Sequence, residues 1–168
     1  MISPAHAQRM AAYNRWMNGK LYAAAAGLSE AQQREDRGAF FKSLHGTLNH
    51  LMYADTAWLY RFTGRSIDAL DPKRELFDDF AAMRAARTAL DAEVQCWAEG
   101  LTEDWLREPF SYYSQILGRS LTRPAWLLVT HLFNHQTHHR GQATTLLTQF
   151  GVDVGVTDLP AMPDLVEG

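Results

Sequence analysis

The chain has 168 residues, of which 46% are hydrophobic and 21% charged, and a net charge of −3; this predicts one globular domain over residues 1–168. Because acidic and basic residues are interspersed along the sequence, the composition argues against a basic surface that binds nucleic acid. No signal peptide and no apolar run of membrane-spanning length is found, so we expect a cytoplasmic protein without a membrane partner.

The first predicted helix begins at Ser3-Pro4, a capping residue followed by a proline that suits the first helical turn. Its apolar residues recur at steps of three and four, and the helix is predicted to end near Gly27. This apolar stripe consists of Met10, Tyr13, Met17, Leu21, Ala24 and Leu28. The polar segment 29–38 that follows is predicted to be an irregular connection.

The second and third predicted helices follow the same apolar spacing. The second begins after Ser43 and ends at Gly64, and the third runs from Leu76 to near Gly100, so the connection between them is predicted to be short. Their stripes are Leu44, Leu48, Leu51, Trp58 and Phe62, then Leu76, Phe80, Met83, Leu90, Val94, Trp97 and Leu101. The single cysteine, Cys96, excludes an intrachain disulfide and is expected to be a packed, inert thiol.

The last third of the chain combines a turn-rich segment with a fourth helix. Segment 107–123 has aromatic and β-branched residues around a Leu-Gly-Arg turn signal, which predicts a short hairpin or an extended loop. The fourth helix is predicted from near Pro124 to Gly151, and the tail 151–168 is expected to be irregular. Four amphipathic helices with little strand signal predict an all-α fold, a four-helix bundle.

Six of the seven histidines fall on two of these helices. They are His45 and His50 on the second helix, and His131, His135, His138 and His139 on the fourth. Because a helix turns by about 100° per residue, the four on the last helix share one face. The apolar stripe of that helix passes through positions 135 and 139, so these two rings are predicted to face the core.

Two imidazoles spaced i and i+4 on a helix can bind one metal ion, which then needs a third ligand from another element. On the second helix, His50 shares a face with small residues, whereas His45 projects roughly 140° away and could cap or pack. The alternative is that buried histidines only form hydrogen bonds. We favour a metal site of His50, His135 and His139, because one ion would satisfy three polar rings at once.

Three motifs point to a known family: Leu48–Asp55 (LNHLMYAD), Asn134–Gln142 (NHQTHHRGQ) and Thr157–Pro163 (TDLPAMP). Together they resemble the DinB family of the DinB/YfiT-like superfamily, over nearly the whole chain. The resemblance implies a four-helix bundle, often dimeric, that holds a metal through one histidine of the second helix and two of the last. Carried over by position, these are again His50, His135 and His139.

The resemblance also implies an activity. Characterised relatives look like S-transferases or isomerases that use low-molecular-weight thiols, so we expect a metal-dependent enzyme that acts on a small-molecule substrate with a thiol cosubstrate. Zinc or nickel is the expected ion, and three histidines also accommodate iron or copper. Two alternatives stay open: a metal-dependent hydrolase, and a non-catalytic stress-response dimer that binds a metal or ligand. The segment His135–His139 contains no glutamate to act as a general base, which argues against a zincin-like protease.

Several other residues are candidates for supporting roles. Asp55 could orient a metal-bound imidazole or form an ion pair with Arg87. His131 and His138 are expected to pack or form hydrogen bonds near the site rather than to ligate. Arg140 belongs to the second motif but could equally be a solvated charge. Trp58, Trp126 and Tyr53 are expected to be core or dimer contacts rather than substrate contacts.

Overall fold

Four long helices dominate the fold in a computed structural model that describes residues 1–115 and 117–166. Three short helices, one 3-10 helix and one two-stranded sheet complete this part of the chain. In chain order the elements are α1 Pro4–Ala25, α2 Glu30–Arg34, α3 Leu44–Phe62, α4 Phe80–Glu99, α5 Glu103–Arg107, β1 Pro109–Ser114, β2 Arg119–Pro124, α6 Ala125–Gln149, the 3-10 helix Leu159–Ala161 and α7 Pro163–Val166. The prediction of a mostly helical protein is confirmed.

Three of the long helices begin at a side-chain cap. The side chains of Ser3, Ser43 and Asp79 each accept a hydrogen bond from a backbone N–H in the first turn of α1, α3 and α4, which satisfies a donor that the helix leaves free. Because Asp79 is the cap, α4 begins at Phe80 and not at Leu76 as predicted. The connection from α3 to α4 therefore runs from Thr63 to Asp79, and the prediction of a short connection is wrong.

The core lies between the four long helices. Helix α1 packs against α4 and α6, and α3 packs against the same two helices. Leucines at helical spacing supply much of this core, among them Leu21, Leu48, Leu59, Leu132 and Leu147, none of which is exposed. Burial of these apolar side chains is the main force that holds the helices together.

The hairpin predicted before the last long helix is confirmed. Strands β1 and β2 pair antiparallel from Pro109 opposite Pro124 to Ser114 opposite Arg119. Gly118 has a positive φ of 62° in the turn, a conformation that glycine adopts without strain. The hairpin packs beside α6, and Tyr112 of β1 contacts the ring of Trp58.

Three predictions about irregular segments and Cys96 need correction. Segment 29–38 contains α2, which a capping box at Ser29 stabilises. The tail contains the 3-10 helix and α7, while its last two residues lie outside the described part of the chain. Cys96 is exposed rather than packed. Within residues 1–115 and 117–166, no helix combines the length and apolar character needed to cross a bilayer.

Candidate metal centre

Three histidines from two packed helices meet at one point and form what we call the histidine cluster: His50 of α3, and His135 and His139 of α6. His135 and His139 are one helical turn apart, so both rings project from the same side of α6. Because α3 and α6 pack against each other, the ring of His50 reaches the other two. The structure thus brings together the three residues predicted as ligands.

The ring nitrogens of the cluster lie at short distances. His135 Nε2 is 3.2 Å from His50 Nε2 and 3.1 Å from His139 Nε2. One potential ligand atom from each residue can be chosen so that all three lie within 4.8 Å of one another. In the described part of the chain this group contains no carboxylate and no cysteine. Only imidazole nitrogens therefore face the centre of the cluster.

The rings of the cluster are held in the neutral form. Burial, reinforced by the neighbouring His139, lowers the pKa of His50 to about 4. Burial and the surrounding histidines lower the pKa of His135 to about 3. Burial also lowers the pKa of His139, although its hydrogen bond to Gln142 acts in the opposite direction. At neutral pH each ring keeps a nitrogen lone pair, which is the form that binds metals.

Gln142 selects the tautomer of His139. The Nδ1–H of His139 donates to Gln142 Oε1 over 2.7 Å, since an amide oxygen can only accept. The Nε2 lone pair of His139 is therefore left facing His135. The amide of Gln142 donates in turn to His138 Nε2 at 3.4 Å. This role of Gln142 was missed from the sequence, although its position three residues after His139 places it on the same helical face.

The loop before α3 covers the cluster on one side. The ring of Phe41 stacks on His50 with centroids 4.0 Å apart and 18° between planes, and meets His139 edge-on at 5.6 Å. A Cβ atom on Gly46 would lie 2.4 Å from the Phe41 carbonyl oxygen, so this approach requires glycine. Lys42 has a φ of +65° and is the one non-glycine residue with positive φ in the described chain. Sequence patterns did not predict this contact.

Asp55 does not join the cluster, and its predicted alternative is observed. Its Oδ2 accepts from Arg87 Nη1 at 2.6 Å, and Arg87 Nη2 lies 2.8 Å from Asp91 Oδ1. Asp91 also accepts from the amide of Asn18 at 2.9 Å. We call Asp55, Arg87 and Asp91 the core ion-pair network; each is at most 4% exposed. Of the two roles predicted for Asp55, the structure shows the ion pair with Arg87.

The other predicted supporting residues have varied roles. The exposed ring of His131 packs edge-on against Trp58 with centroids 5.3 Å apart, and His138 accepts from Gln142; that neither residue ligates stays a prediction. His45 is buried, and its Nε2 lies 2.9 Å from the Phe77 carbonyl oxygen. Arg140 is 4% exposed and donates to Asn14, which excludes a solvated charge.

The three aromatic residues predicted to be core or dimer contacts also occupy different environments. Trp58 is buried in the core, and Trp126 is partly buried against it. Tyr53 is not a core contact, because it is partly buried, donates from its hydroxyl to Gln115 Oε1 over 2.6 Å, and lines a cavity. That cavity has a volume of about 260 Å³ and contains His50 and Phe41 in its wall. His50 of the histidine cluster is thus one of the residues that line a cavity.

Two comparisons with known proteins agree with this arrangement. A family model described as DinB family matches residues 1–167. The chain is also 26% identical over 152 residues to "Protein DinB" of Bacillus subtilis (strain 168), and the match covers 87% of each chain.

Proposed function

The chain belongs to the DinB family, and from this premise we propose that it is a divalent-metal protein whose ion is held by His50, His135 and His139. The observation that carries the proposal is that His135 Nε2 lies 3.1–3.2 Å from the Nε2 atoms of His50 and His139, in a cluster with no acidic partner among the residues that the structure describes. We propose zinc or nickel as the ion, with iron or copper as alternatives.

The donor set fits a metal ion better than it fits a hydrogen-bonded group of rings. Nitrogens that bind zinc at 2.0–2.1 Å in a tetrahedral arrangement are separated by about 3.3 Å, close to the separations in the cluster. Without an ion, His135 Nε2 would need to share one proton or one lone pair with two neighbours. With Nδ1–H of His139 bound to Gln142, its Nε2 lone pair is free for ligation.

We further propose that the protein is an enzyme that transfers a low-molecular-weight thiol to a small electrophilic substrate. A divalent ion bound by three neutral ligands would supply positive charge that favours a thiolate over a thiol. The cavity beside His50 supports this role, because a non-catalytic site would be sealed by side chains. Hydrolysis is less favoured, since Asp55 is paired with Arg87 and no carboxylate lies in the cluster to act as a base.

The proposal also covers the fold type, the oligomeric state and the location of the protein. The mutual packing of α1, α3, α4 and α6 supports a four-helix bundle, formed as one domain over residues 1–168. We also propose a homodimer, which the family resemblance implies, and a cytoplasmic location. Sedimentation equilibrium should give twice the chain mass, and a monomer at all concentrations would refute the dimer.

The metal site is tested by elemental analysis of untagged protein. We expect about one metal ion per chain, and loss of most of it in His135→Asn. The control is His131→Asn, which removes an exposed imidazole from the same helix outside the cluster and should keep the metal. Full retention of metal in His135→Asn would remove this residue from the ligand set.

The activity is tested by incubating metal-loaded protein with a panel of low-molecular-weight thiols and electrophilic acceptors. Mass spectrometry should detect a thioether adduct that depends on the metal and is absent with His135→Asn. Absence of turnover for every thiol, with ester hydrolysis instead, would favour the hydrolase. Absence of both reactions at full metal occupancy would favour the non-catalytic binder.

A further inference from the structure

The cavity beside His50 is lined by cationic side chains that have no ion-pair partner in the described part of the chain. Its wall is formed by the Phe40–Lys42 loop, by one face of α3 and by the end of the connection to α4. Three cationic side chains line it: Lys42, Lys73 and Arg74. All three residues are exposed at the cavity rather than covered by other parts of the chain.

These cations are not neutralised within the described chain. None of Lys42, Lys73 and Arg74 has an ion-pair partner among residues 1–115 and 117–166. The one carboxylate in the wall, Glu75, lies 3.6 Å from Arg34 and 3.5 Å from His45. The nearby Asp71 accepts from the backbone N–H of Lys73. The three cations therefore outnumber the two carboxylates at the cavity, Glu75 and Asp71, and Glu75 is shared with Arg34.

The loop that carries one of these cations is held in a strained conformation. Lys42 adopts a φ of +65°, a left-handed conformation that is unfavourable for a residue with a Cβ atom. A bridge between Ala39 and Lys42, with Lys42 N–H donating to the Ala39 carbonyl at 2.8 Å, closes this turn. Phe41, in the same turn, stacks on the ring of His50. Strain of this kind indicates that the placement of the turn matters more than its local stability.

The cavity also has an apolar part. Phe40 is 85% exposed, a high value for a phenylalanine, and its ring lies at the edge of the cavity, packed edge-on against Phe41. Tyr53 contributes a second ring to the wall. A ligand that has both a charged group and an apolar body would contact the cations and these rings together.

We propose that this cavity is the binding site for an organic anion, a small molecule with a carboxylate or phosphate group and an apolar body. Lys42, Lys73 and Arg74 hold the anionic group, and Phe40 contacts the body. Because His50 belongs both to the cavity wall and to the cluster, we take the anion to be the substrate of the metal centre. In this respect the inference rests on the proposed function. The cavity of about 260 Å³ limits the ligand to a small molecule.

Binding is tested by isothermal titration calorimetry at low salt with 3-phenylpropionate, phenyl phosphate and the neutral 3-phenylpropanamide. Both anions should bind and the amide should not, and the ratio of the two Kd values distinguishes carboxylate from phosphate. In Lys73→Gln/Arg74→Gln, the Kd for the preferred anion should rise about tenfold. Phe40→Ser should weaken phenyl phosphate but leave inorganic phosphate unchanged.

The matched control is Arg15→Gln/Arg84→Gln, which removes two cations from another cavity, between α1 and α4. It should change the Kd less than twofold. An equal loss in both double variants, equal binding of amide and carboxylate, or no anion binding by wild-type protein would overturn the proposal.

Titration of the His135→Asn variant with the preferred anion tests anion binding independently of metal binding. This variant leaves the cavity wall intact, so the anion should still bind after the metal is lost. Conversely, wild-type protein that contains no metal but binds the anion would refute the metal site alone.

Discussion

Two groups of polar side chains in the helical interior differ in whether they supply their own partners. In the core ion-pair network, Arg87 bridges Asp55 and Asp91, so each carboxylate has a cation beside it. In the histidine cluster, three rings of one chemical type converge, and no acidic group from residues 1–115 or 117–166 joins them. Both groups include a residue of α3, Asp55 in the first and His50 in the second.

This difference separates a structural from a functional polar group. Burial alone would lower the pKa of Arg87, but the Asp91 and Asp55 carboxylates together raise it, so the guanidinium stays charged between its two partners. The nitrogen lone pairs of the cluster, in contrast, need a cation that the protein itself does not supply. A buried polar group that lacks its complement is therefore the better indicator of a ligand site.

The largest effect should come from breaking the network. Arg87→Leu leaves Asp55 and Asp91 buried without a cation, and the free energy of unfolding should fall by about 3–5 kcal/mol. Urea denaturation followed by circular dichroism measures this loss. Arg84→Leu removes an exposed cation from the same helix and should change stability by less than about 0.5 kcal/mol. A similar small effect of both variants would show that the network does not stabilise the fold.

The network was harder to predict than the cluster. His135 and His139 follow from spacing within one helix, and the small residues around His50 select it over His45. Whether Asp55 orients a metal-bound ring or pairs with Arg87 depends on how α3 and α4 are aligned against each other. A single sequence does not give this alignment. The start of α4 was placed at Leu76 because apolar spacing was weighted above the cap at Asp79, and this error also shortened the predicted connection.

The cluster and the network should respond to pH in opposite directions, because burial lowers the pKa of the histidines and raises the pKa of the Asp55 and Asp91 carboxyls. The pKa values of about 4 for His50 and about 3 for His135 lie below the 6.5 of an unfolded histidine. Between pH 6.5 and 4 the unfolded chain binds more protons, so the stability of metal-free protein falls as the pH falls. From pH 7.5 to pH 5 the two rings should account for a loss of about 2 kcal/mol, after allowance for solvent screening.

Urea denaturation at both pH values measures this loss, and His135→Phe isolates the contribution of one ring. The difference in stability between pH 7.5 and pH 5 should be smaller in this variant than in the wild type. An equal difference would show that His135 titrates normally in the folded protein.

Gln142 and Phe41 show which parts of the site sequence reasoning could and could not supply. Gln142 was accessible in principle, because a residue three positions after a candidate ligand shares its helical face. Phe41 was not, because it belongs to a loop whose position depends on the packing of α3 and α6 and on the absence of a side chain at Gly46. The ligands were predictable from local geometry, whereas the groups that orient and cover them required the tertiary structure.

The smallest effect should come from weakening the support of the cluster rather than the cluster itself. Gln142→Leu removes the acceptor for the Nδ1–H of His139, so the ring loses its fixed tautomer and orientation while every ligand remains. Metal affinity, measured by competition with a chromophoric chelator, should fall about tenfold. Gln149→Leu, on an exposed position of the same helix, should leave affinity unchanged. Gln142→Glu should restore or raise affinity, since a carboxylate accepts the same proton more strongly; an affinity equal to that of Gln142→Leu would indicate that the hydrogen bond does not orient His139.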